Sequence, residues 1–274
     1  MAYRMLVVDL DGTTIPWDAP IADKDIEAAH KLADAGVAVT IATGRIFSGS
    51  IDAARALGVQ GSIACVNGSH LADVQTGEDQ HAHTLTKEAL AHVEDMISSH
   101  ALTPVLLTAE DVHHGPDMDA IAPFIARWSE RLVKHPDRIK EWDAPGVLAA
   151  MAFGPPDAIE RAADELEALE SDALELVRFT LFDSGQAGMK VRVAGHTKGT
   201  ALATLAEERG LTLEETVAVG DWHNDVPMLK AAGLSFVMAQ AEDTVAQHAD
   251  HRLKSDGVSG GAIAEIAERV FGVR

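Results

Sequence analysis

A single cysteine, Cys65, leaves the chain with no partner for an internal disulfide, and the short apolar run Ser62-Ile63-Ala64-Cys65-Val66 around it reads as a buried strand. No apolar run is long enough to cross a bilayer, and Asp9 and Asp11 interrupt the only early one, so neither a membrane span nor a secretory signal is expected. The expected location is cytoplasmic. Positive charge is scarce: Lys and Arg number 22 against 43 Asp and Glu, a formal charge of −21 over 274 residues. Such a field repels nucleic acid and anionic membranes, and an anionic substrate would need local positive charge from a metal or a few placed cations. Internal repeats, low-complexity tracts and Gly/Ser-rich linkers are also absent.

What is present is a set of buried strands that end in polar residues. Leu6-Val7-Val8 stops at Asp9-Leu10-Asp11-Gly12-Thr13-Thr14. Two carboxylates there are costly unless something uses them, although a surface turn is the plain alternative. In extended chain, residues two apart point the same way, so Asp9 and Asp11 could converge on one cation or reacting group. A helix is expected over Asp23 to Ala35. It is followed by a strand, Val37 to Ala42, ending in Thr43-Gly44-Arg45, a helix from about Ser50 to Leu57, and a third strand, Ile63 to Val66, ending in Asn67-Gly68. That alternation predicts βαβ units and a parallel sheet.

A hairpin about Thr76-Gly77 comes next, and then the texture changes. Helices at Lys87 to Ser99 and Asp157 to Leu169, with strands at Val105 to Thr108 and Val147 to Phe153, read as an inserted α+β domain. The doubly wound pattern resumes with helix Thr200 to Arg209, strand Val217 to Val219, helix Val226 to Ala232, strand Ser235 to Met238 and a closing helix Ala262 to Phe271. The expected fold is therefore α/β, a doubly wound parallel-sheet core of residues 1–83 and 194–274 with an α+β insertion at 84–193.

Val217-Ala218-Val219 also runs into carboxylates, in Gly220-Asp221-Trp222-His223-Asn224-Asp225. Oxygen donors at neighbouring strand tips suit a hard cation, Mg²⁺ best, which keeps open positions for a phosphate oxygen. Lys198, in His196-Thr197-Lys198-Gly199-Thr200, with Thr43 and the Gly44 amide, would supply a cation, a hydroxyl and a backbone donor for a phosphoryl group.

Asp9-Leu10-Asp11-Gly12-Thr13, Thr43-Gly44-Arg45, Lys198-Gly199 and Gly220-Asp221-x-x-Asn224-Asp225 resemble, in order and spacing, the four motifs of the haloacid dehalogenase superfamily. The insertion is similar to its C2 cap, and Val66-Asn67-Gly68-Ser69, Pro227-Met228-Leu229 and Val237-Met238-Ala239 resemble the Cof-like, type IIB, subfamily. The resemblance implies a Mg²⁺-dependent phosphatase of a small phosphorylated metabolite, a sugar phosphate foremost. Asp9 would be the nucleophile that forms an aspartyl-phosphate, and Asp11 the acid/base. It further implies metal ligation by Asp9, the Asp11 carbonyl and Asp221, with Asn224 and Asp225 in or near the outer shell. Phosphate or substrate would meet Thr43, Gly44, Arg45, Asn67, Lys198 and Asn224. A phosphomutase on the same machinery and a non-catalytic binding protein are the alternatives, and a homodimer is left open. The sequence departs from the subfamily at Thr14, at Trp222-His223, at Ala239-Gln240 where Gly-Asn is frequent, and in the missing acidic residue near Val191 to Val193.

Two rival readings fall away. Gly257-Val258-Ser259-Gly260-Gly261 fits a GxSxG nucleophile elbow, but no histidine follows in Ala262 to Arg274, so the segment reads as a loop. The pairs His81/His83 and His113/His114 lack a Cys or HExxH partner for zinc. His113, His114, Arg127 and Arg131 read as a solvated face, with substrate contact the alternative.

Overall fold

Four consecutive side chains with no exposure form β1 (Met5–Val8), a strand with both faces covered. The computed structural model describes residues 3–119, 121–126, 128–136, 138–169, 172–181 and 185–273. The chain divides into two units, one of Met1–Gly44, Ser50–His81 and His196–Arg274, the other of Arg45–Gly49 and Ala82–Gly195.

In the first unit β1 leads to α1 (Asp23–Asp34), β2 (Ala38–Ile41), α2 (Ile51–Ala56) and β3 (Ser62–Cys65), then to β4 (His70–Asp73) and β5 (Asp79–Ala82) of the hairpin. The second unit carries α3 (Lys87–Ser99), β6 (Thr103–Leu107), β7 (Val112–His114), α4 (Ala122–Ile125), β8 (Leu132–Lys134), β9 (Ala149–Gly154), α5 (Pro156–Glu167), β10 (Leu174–Leu181) and β11 (Gln186–Val193). The chain then returns to the first unit with α6 (Lys198–Glu207), β12 (Thr216–Gly220), α7 (Val226–Ala231), β13 (Leu234–Val237), α8 (Asp243–Ala246), β14 (His251–Arg252) and α9 (Ala262–Ile266). A π-helical turn over Ala267–Phe271 continues α9.

The first unit is built on a parallel sheet in the order β14-β13-β12-β1-β2. Successive crossovers run from β1 to β2 on one side, while β12 returns on the other, so β1 is the switch point where an open α/β sheet leaves a crevice. The register brings the strand ends level: Val8 pairs with both Ile41 and Val219, and the Asp9 amide donates to the Val219 carbonyl at 3.1 Å. Asp9, Thr43 and Asp221 are thereby carried to one edge of the sheet. The expected third strand lies parallel beside β2: the bridge Ala42↔Ala64 is parallel, and the Thr43 amide donates to Ala64 O at 2.8 Å. On its other edge β3 pairs antiparallel with β4 from Ser62↔Asp73 to Cys65↔His70, a ladder that a reading of local alternation does not register. Cys65 is fully buried, as its apolar neighbours suggest.

The second unit is a six-stranded sheet, β10-β11-β9-β6-β7-β8. α3 and α5 bury Val93, Met96, Ile97, Ile159 and Leu166 with Ala150, Ala152 and Met189 of the sheet. The eight-residue strand β10 is the largest feature the sequence reading misses, because every residue from Leu174 to Thr180 is partly or fully exposed and no apolar run marks it; of its partner β11 the reading takes only Val191 to Val193.

Closure of the first unit depends on a cap supplied from elsewhere. The N-cap of α9 is Gly261, which has no side chain to offer, and Asp25 of α1 accepts from the Gly261 and Ala264 amides at 2.7 and 2.9 Å. Burial pushes the Asp25 carboxyl up, against the pull of these amides. Asp25→Ala leaves both amides unmet in a buried setting and should cost about 1–3 kcal/mol in urea unfolding.

Candidate active site

The site is assembled from loops that follow β1 and β12 and from the start of α6, all in the first unit. After β1 the chain turns at once: the Leu10 carbonyl accepts from the amides of Thr13, Thr14 and Ile15 at 3.2, 2.9 and 2.7 Å. Gly12 takes φ +78°, and a Cβ there would stand 2.5 Å from Asp221 Oδ2 and 2.6 Å from Trp17 Cζ2. Glycine is required both for the left-handed turn and for the approach of Asp221. Thr197 caps α6 by accepting from the Thr200 amide at 3.2 Å, which sets Lys198 as the first helical residue.

Lys198 has no exposure, and its ammonium donates to Asp9 Oδ1 and Asp225 Oδ1, each at 2.5 Å. Burial disfavours the charged ammonium, but Asp225 and Asp9 outweigh it and hold Lys198 protonated. Asp225 Oδ2 accepts from the Asp221 and Trp222 amides at 2.9 and 3.0 Å, so one carboxylate both anchors Lys198 and shapes the loop after β12. Asp221 accepts from the Thr13 hydroxyl at 2.9 Å on Oδ1 and from Gln240 at 3.3 Å on Oδ2. Burial, then repulsion from Asp225, pushes Asp221 up to about 7. Burial also raises Asp9 well above the carboxylate range; Lys198 pulls it down, and Asp225, Asp221 and Asp11 add to the rise.

Among the described residues, Asp9, Asp221 and Asp225 form the group of metal-capable side chains, with one oxygen from each within 4.8 Å of the others. Three buried carboxylates against one ammonium leave surplus negative charge on hard oxygen donors, which fits a divalent cation such as Mg²⁺. Asp225 already holds Lys198 and two amides, so the fit rests on Asp9 and Asp221. Asp11 lies in the turn, half-buried and outside this carboxylate group.

On the β2 side, Thr43 is fully buried and its amide donates to Ala64 O at 2.8 Å, while its carbonyl accepts from the Asn67 amide at 2.8 Å. Asn224 Nδ2 donates to Asn67 Oδ1 at 3.0 Å, and the same oxygen lies 3.2 Å from where a Gly44 Cβ would stand. Val66 and Asn67 hold φ of +48° and +56°; for a β-branched valine this is strain of about 1–3 kcal/mol, the kind that persists where a site is over-determined. Thr43, Gly44, Asn67 and Asn224 thus form one contiguous group. Arg45 groups with the second unit, where its guanidinium donates to Gly49 O at 3.3 Å.

The family model of the haloacid dehalogenase-like hydrolases matches residues 6–265. The chain belongs to that family. This hydrolase is 26% identical over 258 residues to the 5-amino-6-(5-phospho-D-ribitylamino)uracil phosphatase of Bacillus subtilis, covering 90% of this chain and 88% of that one. It is 24% identical over 261 residues to the pyridoxal phosphate phosphatase of Escherichia coli, covering 91% and 93%. A haloacid dehalogenase-like hydrolase from Bacteroides thetaiotaomicron has the same fold, with a TM-score of 0.83 at 21% identity over 98% of this chain and 99% of that one. The Cof-like resemblance carried by the motifs stands, and the hydrolase is an enzyme of phosphoric monoester chemistry.

Two residues of the hydrolase's site carry a role that the motif reading does not assign. Thr13 and Gln240 hold the two oxygens of Asp221, and Gln240 lies 228 positions from Gly12, whose carbonyl it also binds. Its only signal is that it departs from the family's usual Asn. Trp222 is 46% exposed and meets His223 edge-on at 5.5 Å. Ser259, in the rejected GxSxG segment, donates to Asp256 at 2.8 Å within a loop.

The solvated-face reading of His113 and His114 is corrected. Both are buried on β7; His113 Nδ1 lies 2.7 Å from His135 Nε2, and His114 Nδ1 donates to Gly115 O at 2.7 Å. Consecutive strand residues point to opposite faces, so both faces of β7 are covered here; His113 stacks on His135 at 5.0 Å, and His135 on Trp142 at 5.1 Å. Arg131 is exposed and paired with Asp111 and Glu110, each at 2.9 Å; Arg127 lies outside the described residues. His81 is exposed. Burial, and then His135, hold His113 below the usual histidine range. The folded unit therefore resists a proton that the unfolded chain accepts near pH 6.5, about the unperturbed value. Stability should be full above that pH and decline as pH falls through it, and His113→Gln should flatten the decline in denaturant titrations between pH 7 and 5.

Proposed function

We propose that the enzyme is a Mg²⁺-dependent phosphatase of small phosphorylated metabolites, a sugar phosphate foremost, working through an aspartyl-phosphate on Asp9. The observation that carries this is Lys198, buried and bridging Asp9 to Asp225 beside Asp221. Nucleophile, cation and oxygen donors stand together at the switch point of the sheet. The bound ion, held by Asp9 and Asp221 with the Asp11 carbonyl, would neutralise the phosphoryl oxygens.

The chain's own groups perform the rest. An Asp9 oxygen attacks phosphorus in line, the bond to the leaving oxygen breaks, and Asp11 gives that oxygen its proton. Asp11, now a carboxylate, takes a proton from water as the water oxygen bonds to phosphorus and the Asp9–phosphorus bond breaks, which frees phosphate and restores both residues. An ammonium has three N–H donors, and with two committed to Asp9 and Asp225 Lys198 can turn the third to a phosphoryl oxygen. Thr43 and Gly44 serve the same oxygens, while Asn67, Asn224 and Arg45 serve substrate.

The second unit is taken as the C2-type cap of the family. The relatives' substrates, a ribityl phosphate and pyridoxal phosphate, support a small phosphorylated metabolite. The charge of −21 argues against a nucleic-acid partner, and the lone Cys65, with no partner for an internal disulfide, supports a cytoplasmic location. Among the described residues no helix is long and apolar enough to cross a membrane.

Phosphate release from a panel of sugar phosphates, pyridoxal phosphate and an aryl phosphate should require Mg²⁺ and fall at least about a thousandfold in Asp9→Asn, as expected for loss of a nucleophile. Release at the wild-type rate in Asp9→Asn would overturn the reading, and isomerised sugar phosphate without free phosphate would favour a mutase. Mg²⁺ at saturating excess should also raise the unfolding temperature of the wild type and not that of Asp221→Asn, because a ligand bound only by the folded state stabilises it.

A further inference from the structure

Gln240 follows β13 on an exposed loop, yet its single amide ties three separate segments together. Its Oε1 accepts from the Gly257 amide at 2.9 Å, and its Nε2 donates to Gly12 O at 2.8 Å and to Asp221 Oδ2 at 3.3 Å. The two backbone partners fix which way the amide faces. An N–H can only donate and a carbonyl can only accept, so the oxygen must face Gly257 and the NH₂ must face Gly12 and Asp221. An amide NH₂ has no lone pair for a cation, which removes Gln240 from the ligands despite its place beside them. What it can do is hold Asp221. Thr13 fixes Oδ1 and Gln240 fixes Oδ2, so the carboxylate is clamped from both sides while each oxygen keeps a further lone pair.

Resting on the Mg²⁺ reading above, we propose that Gln240 is a positioning residue for the metal: its amide donor orients Asp221 for the cation without ligating it. Outer partners of this kind change metal affinity about ten- to a hundredfold when removed. The side chain also closes the turn that carries Asp11, since Gly12 O is its partner. Loss of the donor therefore loosens two metal-side elements at once.

Calorimetric titration of the substrate-free enzyme with MgCl₂ tests this in four proteins: wild type, Asp221→Asn, Gln240→Met and Gln240→Glu. Gln240→Met keeps the length and removes both polar atoms, and should bind Mg²⁺ about tenfold or more weakly, with turnover recovering as Mg²⁺ is raised. Gln240→Glu sets an anionic acceptor against Gly12 O and Asp221, and should bind at least as weakly as the Met variant. Unfolding midpoints in EDTA should stay close to the wild type for both variants. Tighter Mg²⁺ binding by Gln240→Glu than by wild type would make the position a ligand and overturn the proposal. Unchanged binding by Gln240→Met, or weakened binding only in step with a collapsed EDTA midpoint, would overturn it too. A wild type that binds no Mg²⁺ removes the parent reading and Gln240's role with it, whereas wild-type binding that is lost in Asp221→Asn and kept in Gln240→Met removes Gln240's role alone.

Discussion

A buried ammonium must be paired, and in this protein that requirement falls on Lys198. Removing it from water costs several kcal/mol, which only close carboxylates can offset. Asp9 and Asp225 supply them, from loops 216 positions apart in the chain. The ion pairs thus hold the end of β1, the loop after β12 and the start of α6 in one arrangement. Asp225 extends the constraint through the two amides on its other oxygen, and Asp221 inherits its place from that loop.

The sheet makes this arrangement affordable. Level strand ends at Val8, Ile41 and Val219 deliver the loops to one edge without long excursions. Close packing then removes the slack: Gly199 on α6 faces the Pro227 carbonyl of α7, where a Cβ would stand 2.5 Å away. Carboxylates held this tightly repel one another, and the rise of Asp9 and Asp221 above their ordinary values is the electrostatic signature of a place prepared for added positive charge. Under the proposed Mg²⁺ reading, a strongly acidic chain would attract a phosphate ester locally, through one lysine and one cation.

Much of this was legible in the sequence because it is local. Short apolar runs that end in Asp9, Thr43 and Asp221 mark buried strands with chemistry at their tips, and α3 was read from Lys87 to Ser99, its observed bounds. What escaped depends on distant partners. β3 reads as a buried parallel strand and is one, but the antiparallel ladder that β4 adds on its other edge is not legible from its apolar run. β10 lacks an apolar run because its residues stay partly exposed along most of their length. His113 and His114 look like surface histidines until β7 is seen to be covered on both faces. Gln240 and Asp25 act across more than two hundred residues, on Gly12 and on the amides of α9; no local pattern announces either.

The central claim is that phosphorus passes through Asp9, and the stereochemical course at phosphorus addresses it most directly. With a phosphorothioate ester substrate made chiral at phosphorus by 16O and 18O and hydrolysed in 17O-labelled water, so that the released thiophosphate is itself chiral, two successive in-line displacements predict overall retention of configuration. Inversion, the mark of a single displacement by water, would contradict the account.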